Sequence, residues 1–150
     1  MAKNGFSISN RLAFEAEGIS AAKTLTADDC GKRFIISNDS FTVTLPDPAE
    51  AGDGWNVRIY NGGGNNYTLS GSAAGQLFVV GMGSADGAAY PATAQSPDGS
   101  AGSSAISFGT PASQSQGDQV YITCGHYDGA DASVYYVRLQ TEKADAATLV

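Results

Sequence analysis

Apolar residues fall at alternate positions along much of this chain, in runs that are short. Trp55, Val57 and Ile59 alternate with Asn56, Arg58 and Tyr60, the period of a strand with one face in a core and the other outside. Comparable runs lie at about Ala22 to Leu25, Arg33 to Ser37, Phe41 to Leu45, Tyr67 to Leu69 and Ile106 to Phe108. Two more, Asp118 to Cys124 and Ser133 to Leu139, predict a closing hairpin with His126-Tyr127-Asp128-Gly129 in its turn region. Gln76-Leu77-Phe78-Val79-Val80 is almost continuously apolar, which predicts a central strand.

Turn chemistry separates these runs. Thr26-Ala27-Asp28-Asp29 reads as a capped helical turn in which Thr26 accepts from the amide of Asp28 or Asp29. Gly31 can end it in the left-handed conformation. Asn38-Asp39 forms turns, as does the glycine-rich run from Asn61 to Asn66. Pro46 and Pro48 stop the strand before them, because neither can donate to a ladder. No internal repeat is evident at solenoid periods.

The resulting organisation is an arm (1–21), a β domain (22–140) and a polar tail with an apolar tip (141–150). In the arm, Phe6, Ile8, Leu12, Phe14 and Ile19 need a surface to cover them, on their own domain or on a neighbour; Ala13 to Ala16 suits a helical turn as well as a strand. The stretch from Gly81 to Thr110 is rich in Gly, Ala, Ser and Pro. It has too little apolar surface to offset its ordering entropy alone, and predicts a long outward loop. The fold class is all-β, a compact β-sandwich or β-barrel with an extended N-terminal arm and a long Gly/Ala/Ser-rich loop.

Composition agrees. A chain of 150 residues suits one domain, able to bury roughly 70% of its unfolded surface without metal or disulfide staples. Its 19 glycines serve tight turns, and charged residues are only 15%. Net charge is −7, and the eight Lys and Arg are scattered along the sequence, which argues against nucleic acid and against anionic membranes. No apolar stretch of signal-peptide or membrane-spanning length is present, so the expectation is a chain made and kept in the cytoplasm until assembly or release. Cys30 and Cys124 are expected as buried thiols, with a disulfide the alternative if their strands abut.

Little catalytic chemistry is legible. His126 stands two residues after Cys124 with Asp128 and Asp131 nearby, but the intervening Gly125 and the turn favour a turn histidine beside a core cysteine. One His and two Cys are too few for a zinc site. Gly81-Met82-Gly83 lacks a correctly placed third glycine, and Pro91 forbids the helix that would hold a pyrophosphate. The expectation is no enzyme, no metal and no cofactor. Tyr60, Tyr67, Tyr90, Tyr127, Tyr135 and Tyr136 offer rings for sugars, although strand aromatics more often serve core or subunit contacts. Tyr135 and Tyr136, being adjacent, point to opposite faces.

Residues 22 to 61 carry a resemblance. Lys23 to Phe34 matches a K-x-L-T-x-x-D-x-G-K-x-F start, Thr42-Val43-Thr44-Leu45-Pro46 a T-V-T-L-P strand, and Ala51-Gly52 the turn before an aromatic strand. This succession resembles β modules of tailed-bacteriophage virions, found in head decoration (cement) proteins and fibre stems; Cys30 stands where a small Ser or Thr is commoner. The resemblance implies a virion structural protein, a homotrimer binding the major capsid protein on the outer surface of the head, with the arm residues as contacts. A tail-fibre or receptor-binding component recognising host glycans is the alternative, although no shaft repeat is present.

Overall fold

The computed structural model describes residues 16–84, 102–109, 117–126, 133–142 and 147–150. They form an all-β sandwich. Its strands are β1 (Ala16–Ile19), β2 (Lys23–Thr24), β3 (Arg33–Ile36), β4 (Phe41–Thr44), β5 (Asn56–Asn61) and β6 (Tyr67–Ser70). They continue as β7 (Leu77–Ser84), β8 (Ala105–Phe108), β9 (Gln119–His126), β10 (Ser133–Thr141) and β11 (Ala147–Leu149). A single helical turn, α1 (Pro48–Ala51), and a 3₁₀ turn, Ala27–Asp29, complete the set. One sheet runs β1-β3-β5-β9-β10-β7 and the other β11-β8-β6-β4-β2.

Strands β1 to β6 alternate between the sheets, and their neighbours within each sheet are parallel. The chain therefore winds, two strands to a rung. Ala16 pairs with Arg33 and Arg33 with Arg58, steps of 17 and 25 residues. On the other sheet Lys23 pairs with Val43 and Val43 with Leu69, steps of 20 and 26. Unequal steps explain why a fixed-period scan finds no repeat.

The corners stack as the strands do. Ser37 N donates to Ile19 O and Gly62 N to Ile36 O, both at 2.9 Å. Asn66 N donates to Asp39 Oδ1, and Ser40 N donates back to Asn66 O. Buried Asn61 closes its own turn, its side chain accepting from Asn65 N and donating to Asn65 O. Gly62 is required there, since a Cβ would lie 2.7 Å from Ile36 O and from the Ile35 side chain.

Between the sheets lies one core. Phe34, Ile36, Val57, Ile59, Ile122 and Val137 come from the six-stranded sheet, and Val43, Leu69 and Ile106 from its partner, all fully buried. Tyr67 stacks on Phe108 with ring centroids 4.4 Å apart. Trp55 is also core, as its phase with Val57 and Ile59 requires.

Several expectations need correction. β7 is the outermost strand of its sheet, not a central one. Its apolar outward residue Phe78 is nonetheless buried, because the segment at Gly102 and Ser103 returns alongside β7: Ser103 and Leu77 exchange backbone hydrogen bonds. β7 also runs on to Ser84, so the expected excursion from Gly81 is shorter, and most of it lies outside the described residues. Residues 141–150 are not simply a tail. Thr141 ends β10, and β11 pairs antiparallel with β8, placing Ala147 in the core. The assigned arm likewise overlaps the domain, since Ala16–Ile19 already pairs with β3. At the 3₁₀ turn Thr26 and Asp29 form a reciprocal capping box: the Thr26 side chain faces the Asp29 amide, as expected, and Asp29 Oδ2 accepts from Thr26 N at 2.9 Å. Gly31 follows at φ 80° as expected.

Candidate functional site

The sequence-predicted contact residues Phe6, Ile8, Leu12 and Phe14 lie outside the described residues. So do Asp128, Asp131, Tyr90 and Tyr127. Among the described residues no helix is long and apolar enough to cross a membrane, and no group of three or more His, Cys, Asp or Glu is placed to hold a metal.

One polar corner has the residue types of a catalytic relay. His126 ends β9, and its Nδ1 lies 2.8 Å from both oxygens of Asp53, from the loop after α1. Ser133, at the start of β10, places Oγ 3.2 Å from the same Nδ1 and 3.3 Å from Asp53 Oδ1. A relay needs the carboxylate on one ring nitrogen and the hydroxyl on the other, so that a proton passes through the imidazole. Here both partners crowd one nitrogen, and among the described residues no hydroxyl stands at the other to complete such a path. Cys124 does not join them: its Sγ faces Pro48 O at 3.5 Å, and burial, with Asp53 and Asp47 nearby, pushes its thiol up to about 11. The corner is a polar clasp, tying the α1 loop to the last hairpin beside an open cleft of about 470 Å³. Cys30, expected as buried, is exposed, and the two cysteines are unpaired.

The outer face of the six-stranded sheet is different in kind. Pairing registers set Ala16, Arg33, Arg58, Tyr121, Arg138 and Gly81 in one row across the strands. The Arg58 guanidinium lies over the Tyr121 ring, 5.1 Å from its centroid, at a distance where cation and ring attract. On the next row toward β9's far end, Asn56, Thr123 and Tyr136 are aligned. Tyr136 lies over Gly125, where a Cβ would touch its ring at 3.4 Å, and its hydroxyl donates to His126 O. Val80, Tyr121, Thr123, Tyr136 and Arg138 together line an open depression of about 410 Å³.

Three of the chain's eight basic residues thus share one row, although they are scattered in sequence. The six strands contain a single carboxylate, Glu17, whose partner is Lys23 of the other sheet. Of the tyrosines read as possible ring platforms, Tyr67 and Tyr135 are core, while Tyr60 and Tyr136 point outward and are half-buried. Tyr121 was missed. Its phase could have revealed it, since Val120, Ile122 and Cys124 claim the inward positions of β9. Among the described residues the strands of the opposite face present no charge outward, with Thr24, Thr44 and Ser70 in one row and Thr42, Thr68 and Ser107 in the next.

No known family model matches this chain, and no curated protein matches it.

Proposed function

We propose that the chain is a virion structural protein of a tailed bacteriophage, a head decoration protein that binds the outer surface of the capsid as a homotrimer. Its work is mechanical. A ligand that binds only the assembled lattice stabilises that lattice by mass action. The observation that supports this reading is the structure of residues 22 to 61, the segment that resembles phage virion modules. Its motif residues serve the rungs and corners of the sandwich: Asp29 caps, Gly31 turns, Leu45 and Trp55 fill the core. Such a body suits a rigid element on a shell.

In this reading Phe6, Ile8, Leu12 and Phe14 contact the major capsid protein or a sister subunit. Co-sedimentation with emptied heads tests it: the intact protein should pellet with heads, and a variant lacking residues 1–15 should remain folded but stay in the supernatant. Failure of the intact protein to pellet overturns the reading, and undiminished pelleting by the truncated one removes the arm from it.

The alternative, a tail-fibre or receptor-binding component, draws its support from the outward Tyr60, Tyr121 and Tyr136 beside arginines. Localisation of the protein on virions by electron microscopy separates the two.

A further inference from the structure

The arginine–tyrosine face is a concentration of positive charge on a chain that is otherwise acidic. Excess carboxylate lies in turns and loops: Asp28 and Asp29 in the 3₁₀ turn, Asp39 at a corner, Asp47, Glu50 and Asp53 around α1. Arg58 and Arg138 are exposed, on strands separated by β9 alone, so their backbones stand on the order of 10 Å apart. Tyr121 fills the position between them. Arg138 lies along the strand edge at Gly81, where a Cβ would come 3.5 Å from its Cγ; the glycine leaves room for the stem.

We propose that this face binds a linear acidic polysaccharide, a polyuronate or polysialate chain, laid across the strands. Its carboxylates pair with the guanidinium groups of Arg58 and Arg138, in the fork geometry arginine offers a carboxylate. Its sugar rings rest their C–H faces on Tyr121 and Tyr136 in the depression, where Thr123 supplies a hydroxyl. Amphipathic rings with one apolar face and a polar tip suit that contact.

Two other polyanions fit less well. An extended acidic peptide can pair its carboxylates with an arginine cluster, but it has no sugar rings to lay on the tyrosines, and its other source of affinity, adding a strand, needs an open sheet edge. The backbone groups under this row are already used in the ladders of β3, β5, β9 and β10. A nucleic acid carries dense phosphate charge, which a chain of net charge −7 repels as a whole. A sparser carboxylate chain can meet the row and escape the acidic loops.

The site rests on sheet geometry and is independent of the capsid reading, because its test uses the isolated, intact chain without heads. Binding is measured with polygalacturonate and polysialate, with uncharged dextran and polyglutamate as comparisons, at low and raised salt. The expected result is retention of one of the acidic polysaccharides, none of dextran, and weakening with salt. The double variant Arg58→Gln/Arg138→Gln should lose roughly tenfold or more in affinity. Both residues are exposed, and an unchanged melting temperature verifies folding. Tyr121→Phe should retain binding, whereas Tyr121→Thr should lose it. The proposal is overturned if neither polysaccharide binds, if the arginine variant binds as well as the parent, or if polyglutamate binds as tightly and binding survives Tyr121→Thr. That last outcome would assign the face to acidic protein surfaces instead.

Discussion

Trp55 joins three parts of the molecule through one residue. Its indole N–H donates to Thr26 O at 3.1 Å, its ring packs edge-to-face with Tyr135 with centroids 5.7 Å apart, and its carbonyl accepts from Cys124 N. Trp55→Ala should cost about 3–5 kcal/mol in urea unfolding. Native tryptophan emission should be blue-shifted and move red on unfolding. Asp29 is a second such residue. Burial alone raises its pKa, but the hydrogen bond from Lys32, the Thr26 amide and the charges of Lys32 and Lys23 outweigh that and leave it lowered. A lowered folded-state value contributes stability in full above the ordinary carboxylate range, near about pH 4, and loses it as pH falls through the folded value. Asp29→Asn should therefore cost about 1–2 kcal/mol at neutral pH and flatten the acid limb of stability, read from urea midpoints between neutral and strongly acid pH. The cysteines give a third check. A thiol reagent at mildly alkaline pH should modify Cys30 in the native protein and reach the buried Cys124 only on unfolding. Alternation made Trp55 legible in the sequence, but not the exposure of Cys30, which depends on a turn projecting from the rung rather than on any periodic signal.

At the level of elements, alternation located strands well and their neighbours poorly. Nothing in the β7 residues tells that the outer neighbour of Phe78 is a returning loop segment rather than a strand; that covering comes from Gly102, whose Cβ would press into Gly75 O and come 2.9 Å from the Phe78 ring. The same limit hid the row of arginines, since registers between strands distant in sequence fix which side chains align. β11 escaped notice because three residues are too few for a pattern. Its contribution is testable: Val150 O accepts from the amides of Ser104 and Ala105, and Ala147 is buried. Deleting residues 147–150 leaves the hydrogen-bonding edge of β8 open. The expected outcome is a lower melting temperature together with concentration-dependent association by light scattering, as exposed edges recruit further strands.

The whole molecule is an object with unlike sides: a hydroxyl-bearing face, an arginine–tyrosine face, and acidic loops between them. Composition could not show this, because a net charge of −7 averages over all three. The winding adds a direction. β1 and β2, joined by only three residues, occupy one end of the two sheets, and β7 and β11 the other. The described chain therefore starts on an edge strand at one end and finishes on an edge strand at the opposite end. A pull on the two ends acts along the line of the interstrand hydrogen bonds, across the strands, and opens them in succession rather than shearing them together. Single-molecule extension by the ends should show stepwise, weak yielding. A load spread over either broad face, by contrast, presses the sheets onto a close-packed core of low compressibility. As a material, this sandwich is a shim: stiff under compression, easily unzipped lengthwise.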